Sequence, residues 1–160
     1  MKYTVEKQLD KIRSIADYQF GKDVGKKLFP ENVTFEFSKR TGRIRFINLN
    51  GERLATLRPT DGRFSLSVKA ARYIVENIPE FKGLIMLKND VSQYIAAGGD
   101  VFAVHVVQVD EEICVKDEVI IVDENRQLLA VGCTNLSALE IRAFKTGVAV
   151  KIRHGVNSKN

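Results

Sequence analysis

The sequence predicts an α+β protein of two units: an N-terminal small antiparallel sheet with helices, then a C-terminal barrel of mixed strands with two short helices. Three observations predict it. Apolar periodicity alternates between helical and strand spacing in the first half, and short strand-like runs separated by frequent turn signals dominate the second. The charge also changes sign part-way. Residues 1–82 hold 17 Lys and Arg against 10 Asp and Glu, a net +7, whereas residues 83–160 hold 8 against 10, a net −2. Proline and glycine in "IPEFKG", residues 78–83, mark the change, so the units are 1–82 and 83–160.

In the first unit, Val5, Leu9, Ile12 and Ala16 recur on one face of an amphipathic helix that Thr4 can cap. "VTFEFSK" alternates Val33, Phe35 and Phe37 with polar residues, as a half-buried strand does. "RIRFINL" alternates again, and "KRTG" and "NG" turn the chain into a three-stranded meander that continues into "RLATLR". Past "PTDG" and "RFSLS", the pairs Ala70/Ile74 and Ala71/Val75 in "VKAARYIVENI" predict a helix. The second unit opens with a strand, "LIML", and a short helix, "NDVSQYIAAG", capped by Asn89 and ended by Gly98. "VFAVHVVQVD", "EVIIVD" and "QLLAVGCT" follow as strands, with His105 mid-strand and Asp117 and Glu118 as solvent residues of a turn. Ser137 and Glu140 in "SALE" form a capping box, and "VAVKIRH" is the last strand.

At 44% apolar and 28% charged residues, the 160-residue chain has the composition of an ordinary globular protein. No apolar run reaches the roughly 20 residues that span a bilayer, and the N-terminus is amphipathic rather than signal-like, so a cytoplasmic protein without a membrane contact is expected. Cys114 and Cys133 lack paired metal-ligand spacing, so no metal or other cofactor is expected. Gly98 and Gly99 follow a helix and precede a strand, the reverse of a phosphate-binding loop, and a C′ glycine is the structural reading. No nucleophile and base pair up recognisably, so the chain is read as non-catalytic. The basic surplus centres on "SKRTGRIR", where Lys39, Arg40, Arg43 and Arg45 crowd one hairpin with Arg63 on a neighbouring turn. Arg43 and Arg45 share a strand face by the period of two and can track a phosphate backbone, whereas Phe35, Phe37 and Phe46 read as core rather than as a stacking platform. The apolar "VHVVQV" suggests a different reading, an assembly subunit whose main partner is another protein.

The C-terminal half resembles a PUA domain, a small RNA-binding module, through "AGGDVFA", "KDEVIIVD", "LLAVGCTNLSALEI" and "KTGVAVKIRH" over about residues 84–155. Where many members have glycine before Asp-Glu, Lys116 stands in "VKDE". "ADYQFG", "SKRTGRIR", "LATLRPTDGRFSLS" and "AARYIVEN" are similar to the domain preceding the PUA module in archaeal tRNA-guanine transglycosylases and archaeosine synthase. The resemblance implies a PUA-type pseudo-barrel and RNA, specifically tRNA at its acceptor region, as partner. It implies a stand-alone tRNA-modification module or one serving a separate catalytic chain. By position it points to Gln93, Ala97, Gly98, Gly99, Asp100 and Val101 on one lip of an RNA groove, and to Lys145, Thr146, Gly147, Lys151 and Arg153 on the other.

Overall fold

A computed structural model describes residues 2–158, with side chains from residue 5 onward. The chain divides into two compact units between Phe81 and Lys82.

In the first unit, α1 (Lys2–Phe20) buries Leu9, Ile12 and Ala16 as their spacing predicts, while Val5 stays 45% exposed. The expected Thr4 cap falls outside the residues whose side chains are described. A second helix, α2 (Val24–Leu28), lies in the glycine- and lysine-rich stretch where too few apolar residues recur to announce one. β1 (Thr34–Phe37), β2 (Ile44–Leu49), β3 (Glu52–Leu57) and β4 (Phe64–Leu66) form an antiparallel sheet in sequence order, one strand more than the meander predicted. The β2–β3 turn is the expected Asn50–Gly51, both with positive φ as a type I′ turn requires. Gln19 of α1 substitutes for a neighbour on edge strand β4: its amide donates to the Phe64 carbonyl at 2.9 Å and accepts from the Phe64 N–H at 2.7 Å. α3 (Val68–Asn77) begins where Ser67 accepts from Ala70 N–H at 3.0 Å, and buries Ala70, Ala71 and Ile74.

A β-bulge changes what the alternating pattern meant. Glu36 pairs with Phe46 but Phe37 pairs with Ile44, so Arg45 is an extra residue in β2. Ile44 and Ile47, three apart, therefore both face the core, while Phe46 shares a face with Glu36 and is only half-buried. Phe37 is 49% exposed at the hairpin end. Of the three phenylalanines expected in the core, only Phe35 sits opposite a fully buried partner, Ile47.

The second unit contains β5 (Leu84–Leu87), a 3₁₀ turn Asn89–Val91, α4 (Ser92–Ala96), β6 (Val101–Phe102), a 3₁₀ turn Ala103–His105, β7 (Val106–Val109), β8 (Glu118–Val122), β9 (Leu128–Thr134), α5 (Ala138–Ala143) and β10 (Val148–Gly155). Strand order β6-β10-β9-β8-β5-β7, with β5 and β8 parallel and every other pair antiparallel, leaves as the two sheet ends strands that adjoin in sequence. The sheet must therefore roll up, and the nearly closed mixed barrel encloses Ile85, Leu87, Val101, Val119, Ile121, Ala149 and Val150. The predicted single strand "VFAVHVVQVD" is broken by the 3₁₀ turn that makes this corner, and His105 ends that turn rather than sitting mid-strand. Asn89 does not cap α4: its Oδ1 accepts from Glu124 N–H at 2.9 Å while Glu124 accepts from Asn89 N–H at 3.0 Å, tying α4 to the β8–β9 turn. The Ser137–Glu140 capping box is formed in full.

Lys116 has φ +68, the left-handed conformation that glycine adopts freely, so the lysine keeps the turn by bearing its strain. Glu118, expected in solvent, is buried and paired with Arg153, because its strand position turns it into the barrel wall. Among the described residues, no helix is long and apolar enough to cross a membrane, and no group of three or more His, Cys, Asp or Glu gathers within reach of one metal ion.

Candidate nucleic-acid interface

The α4 exit is a Schellman motif. Gly99 N–H reaches the Tyr94 carbonyl at 3.0 Å and Gly98 N–H the Ile95 carbonyl at 2.9 Å, with Gly98 at φ +107. A Cβ on Gly99 would lie 2.3 Å from the Tyr94 ring, and one on Gly98 would lie 3.0 Å from Ser158 Oγ. The space these glycines open is thus occupied from within, by a tyrosine that remains 54% exposed on its outer side. Asp100 is a strut: its Oδ1 accepts from Ile152 N–H at 2.9 Å and fixes the loop to β10. Val101 is wholly buried and pairs with Val150, so it offers no surface at the lip; Gln93 and Ala97 are exposed.

The structure brings the other lip alongside. Ala103 N–H donates to the Gly147 carbonyl at 3.0 Å and Phe102 pairs with Val148, which sets Lys145, Thr146 and Gly147, all exposed, beside β6. Lys151 projects from β10 into solvent. Arg153 differs, because its guanidinium grips the Glu118 carboxylate with both terminal nitrogens, Nη1 at 3.0 Å from Oε1 and Nη2 on Oε2. The carboxylate is fully buried and the arginine about one-third exposed, so this cation is committed to the fold.

In the first unit, the hairpin loop 38–43 closes through Ser38 N–H to the Arg43 carbonyl at 2.7 Å and Gly42 N–H to the Ser38 carbonyl at 2.8 Å. Lys39, Arg40, Arg43 and Arg45 all lie on its surface, and among the described residues none of the four is in an ion pair. Arg43 precedes β2 and Arg45 is the bulge residue, so the period-two argument for a shared face does not apply; proximity on one hairpin is what unites them. Arg63 leans on Asp61, which accepts from its backbone N–H at 3.0 Å and lies 3.9 Å from its Nε.

Residues 83–156 match the PUA domain, and residues 10–80 match the patch-forming domain C2 of tRNA-guanine transglycosylase. The chain carries a PUA domain in its second unit. It is 41% identical over 150 residues to tRNA-guanine(15) transglycosylase of Thermoplasma volcanium, covering 92% of this chain and 23% of that enzyme. It is 39% identical over 158 residues to the same-named protein of Pyrococcus furiosus, covering 99% of this chain and 26% of that one. The chain thus spans about a quarter of the length of the curated relatives it matches. Among solved structures, a hypothetical protein from Pyrococcus horikoshii OT3 superposes with a TM-score of 0.75 at 23% identity, over 96% of this chain and 92% of that one. A conserved PUA domain protein from Thermoplasma acidophilum gives 0.64 at 17%, over 94% and 89%. Both support the α+β fold.

Tyr94 of the PUA domain was not foreseen as part of this lip, although an aromatic four residues before a glycine pair is a signal the sequence offers. Arg142 was missed as well: its Nη2 donates to the Val109 carbonyl at 2.9 Å and blocks one end of edge strand β7. Of the "VHVVQV" edge, only four residues remain as strand, with Val107 in it and Val104 in the preceding turn both about half-exposed.

Proposed function

We propose that this PUA-domain protein is a non-catalytic RNA-binding module of tRNA modification. It binds tRNA at the acceptor region through the groove beside the Gly98–Gly99 lip and through the basic hairpin of the first unit. The observation that carries the reading is the pairing, in one chain, of the transglycosylase C2 domain with a PUA domain across residues 10–156. Charge supports it, since Lys39, Arg40, Arg43 and Arg45 are exposed cations without ion-pair partners among the described residues, and Lys145 and Lys151 are exposed beside the lip. Tyr94 adds a flat face at that lip, and Gln93, Thr146 and the 147 backbone add neutral donors and acceptors for sugar and phosphate. Duplex-rich RNA is recognised through phosphates and 2′-hydroxyls, which suits cations spread over a turn and a strand better than a base-reading pocket. A separate catalytic chain supplies the chemistry in this reading.

The test is titration of unmodified tRNA at several salt concentrations. The wild type should give a linear log–log dependence of affinity on salt, and Arg43→Ala/Arg45→Ala should lower affinity and flatten the slope by about 1.4 to 1.8. Binding that is absent or indifferent to salt would overturn the proposal.

A further inference from the structure

The bulge in β2 has placed an aromatic ring on the solvent face of the first unit's sheet. The Arg53 guanidinium carbon stands 3.5 Å from the Phe46 ring centroid and that of Arg45 stands 5.4 Å away. At 3.5 Å an edge-on guanidinium would drive its nitrogens into the ring, so Arg53 lies flat on it. The face of Arg53 turned away from the ring belongs to a side chain about half-exposed. Asn48, opposite Arg53 in the β2–β3 register, donates from Nδ2 to Glu36 Oε2 at 2.7 Å, and that same carboxylate oxygen is 3.8 Å from Arg53 Nη2. A planar cation, already stacked on one side, therefore stands beside an exposed carboxylate held in place by an amide.

We propose that this face holds one unpaired nucleobase bearing an exocyclic amino group, stacked on Arg53 with its N–H donated to Glu36. The inference rests on the RNA-binding reading above and deepens it. Stacking on arginine planes and aromatic rings is a common way for protein to hold a splayed RNA base, and the Phe46 ring beneath holds the guanidinium flat before the base arrives. Glu36 decides between base and phosphate. A phosphate on Arg53 would meet the carboxylate 3.8 Å from Nη2, whereas the amino group of adenine, cytosine or guanine meets it as a hydrogen-bond donor. Uracil presents carbonyl oxygens on both sides of its single N–H and is disfavoured there.

The experiment uses the full chain and fluorescein-labelled octamers rA8, rC8 and rU8, with fluorescence anisotropy at low salt and unmodified tRNA in parallel. The wild type should bind rA8 and rC8 about fivefold tighter than rU8, the worth of one net hydrogen bond. Arg53→Lys keeps the charge and loses the plane, so affinity for rA8 and rC8 should fall about tenfold with the salt slope unchanged. Glu36→Gln, an exposed and isosteric change, should abolish the preference. Tightening of all three octamers by Glu36→Gln, an inert Arg53→Lys, or equal octamer binding by a wild type that still binds tRNA would each overturn this inference and leave the previous proposal standing. A wild type that binds neither octamers nor tRNA overturns both.

Discussion

Arg153→Ala separates a structural arginine from an RNA contact. The substitution leaves the Glu118 carboxylate, whose side chain has no exposed surface, without the two guanidinium nitrogens that balance it. Removing one partner of a buried pair costs about 3–5 kcal/mol, most of it the desolvation of the charge left behind. Arg153 is itself about one-third exposed, so water enters part of the space it vacates, and the lower figure of about 3 kcal/mol is expected. For a unit of this size that is a loss of roughly 12–24 °C in Tm. Urea unfolding followed by circular dichroism measures it as a shift in midpoint at constant slope. The compensated double change Arg153→Met/Glu118→Met should recover most of the loss, since a buried pair exchanged for apolar volume is often neutral or better. The same double variant should bind tRNA with an unchanged salt slope. A fully stable Arg153→Ala protein that has lost RNA affinity would refute the reasoning and return Arg153 to the interface.

Two further outcomes are expected. Gly155→Ala places a Cβ 2.3 Å from the Ala96 carbonyl oxygen, a backbone atom that cannot swing aside, and should destabilise the second unit by about 1–3 kcal/mol in the same unfolding assay. Near Glu80, the hydrogen bond from Lys27 at 2.7 Å holds the carboxyl below its ordinary range and the ammonium above its own. A depressed carboxyl favours the folded state above the pKa of the unfolded chain and loses that contribution as pH falls through its folded value. An NMR titration of the Glu80 side chain should therefore midpoint lower in the wild type than in Lys27→Met.

The features legible in the sequence were those written in short range. Ser137 and Glu140 announced their capping box, Asn50–Gly51 their hairpin, and Gly98 the end of α4, because each depends on residues within one turn of chain. The cationic hairpin was legible for the same reason. What escaped depends on residues brought together from afar. One extra residue in β2 put Ile44 and Ile47 on one face and Phe46 on the other, and nothing in "RIRFINL" marks a bulge. Glu118 and Arg153 lie 35 positions apart, so each read as a surface charge until the barrel paired them. Resemblance put Gly99 on the lip of an RNA groove, and only the fold shows that the space beside it belongs to Tyr94.

The unjoined ends of the second sheet have a mechanical consequence. A strip rolled until its ends adjoin, without a ladder between them, behaves as a split sleeve rather than a ring. One side of the split is riveted, with β6 held to β10 by its own pairing, by Asp100 and by the Ala103–Gly147 hydrogen bond. The other side, β7, is secured among the described residues by its pairing with β5, by the Lys88 N–H to His105 carbonyl bond just before it and by Arg142 at one end. The ties across the split are thereby concentrated on the side that carries the glycine lip, and they hold the lip to β10.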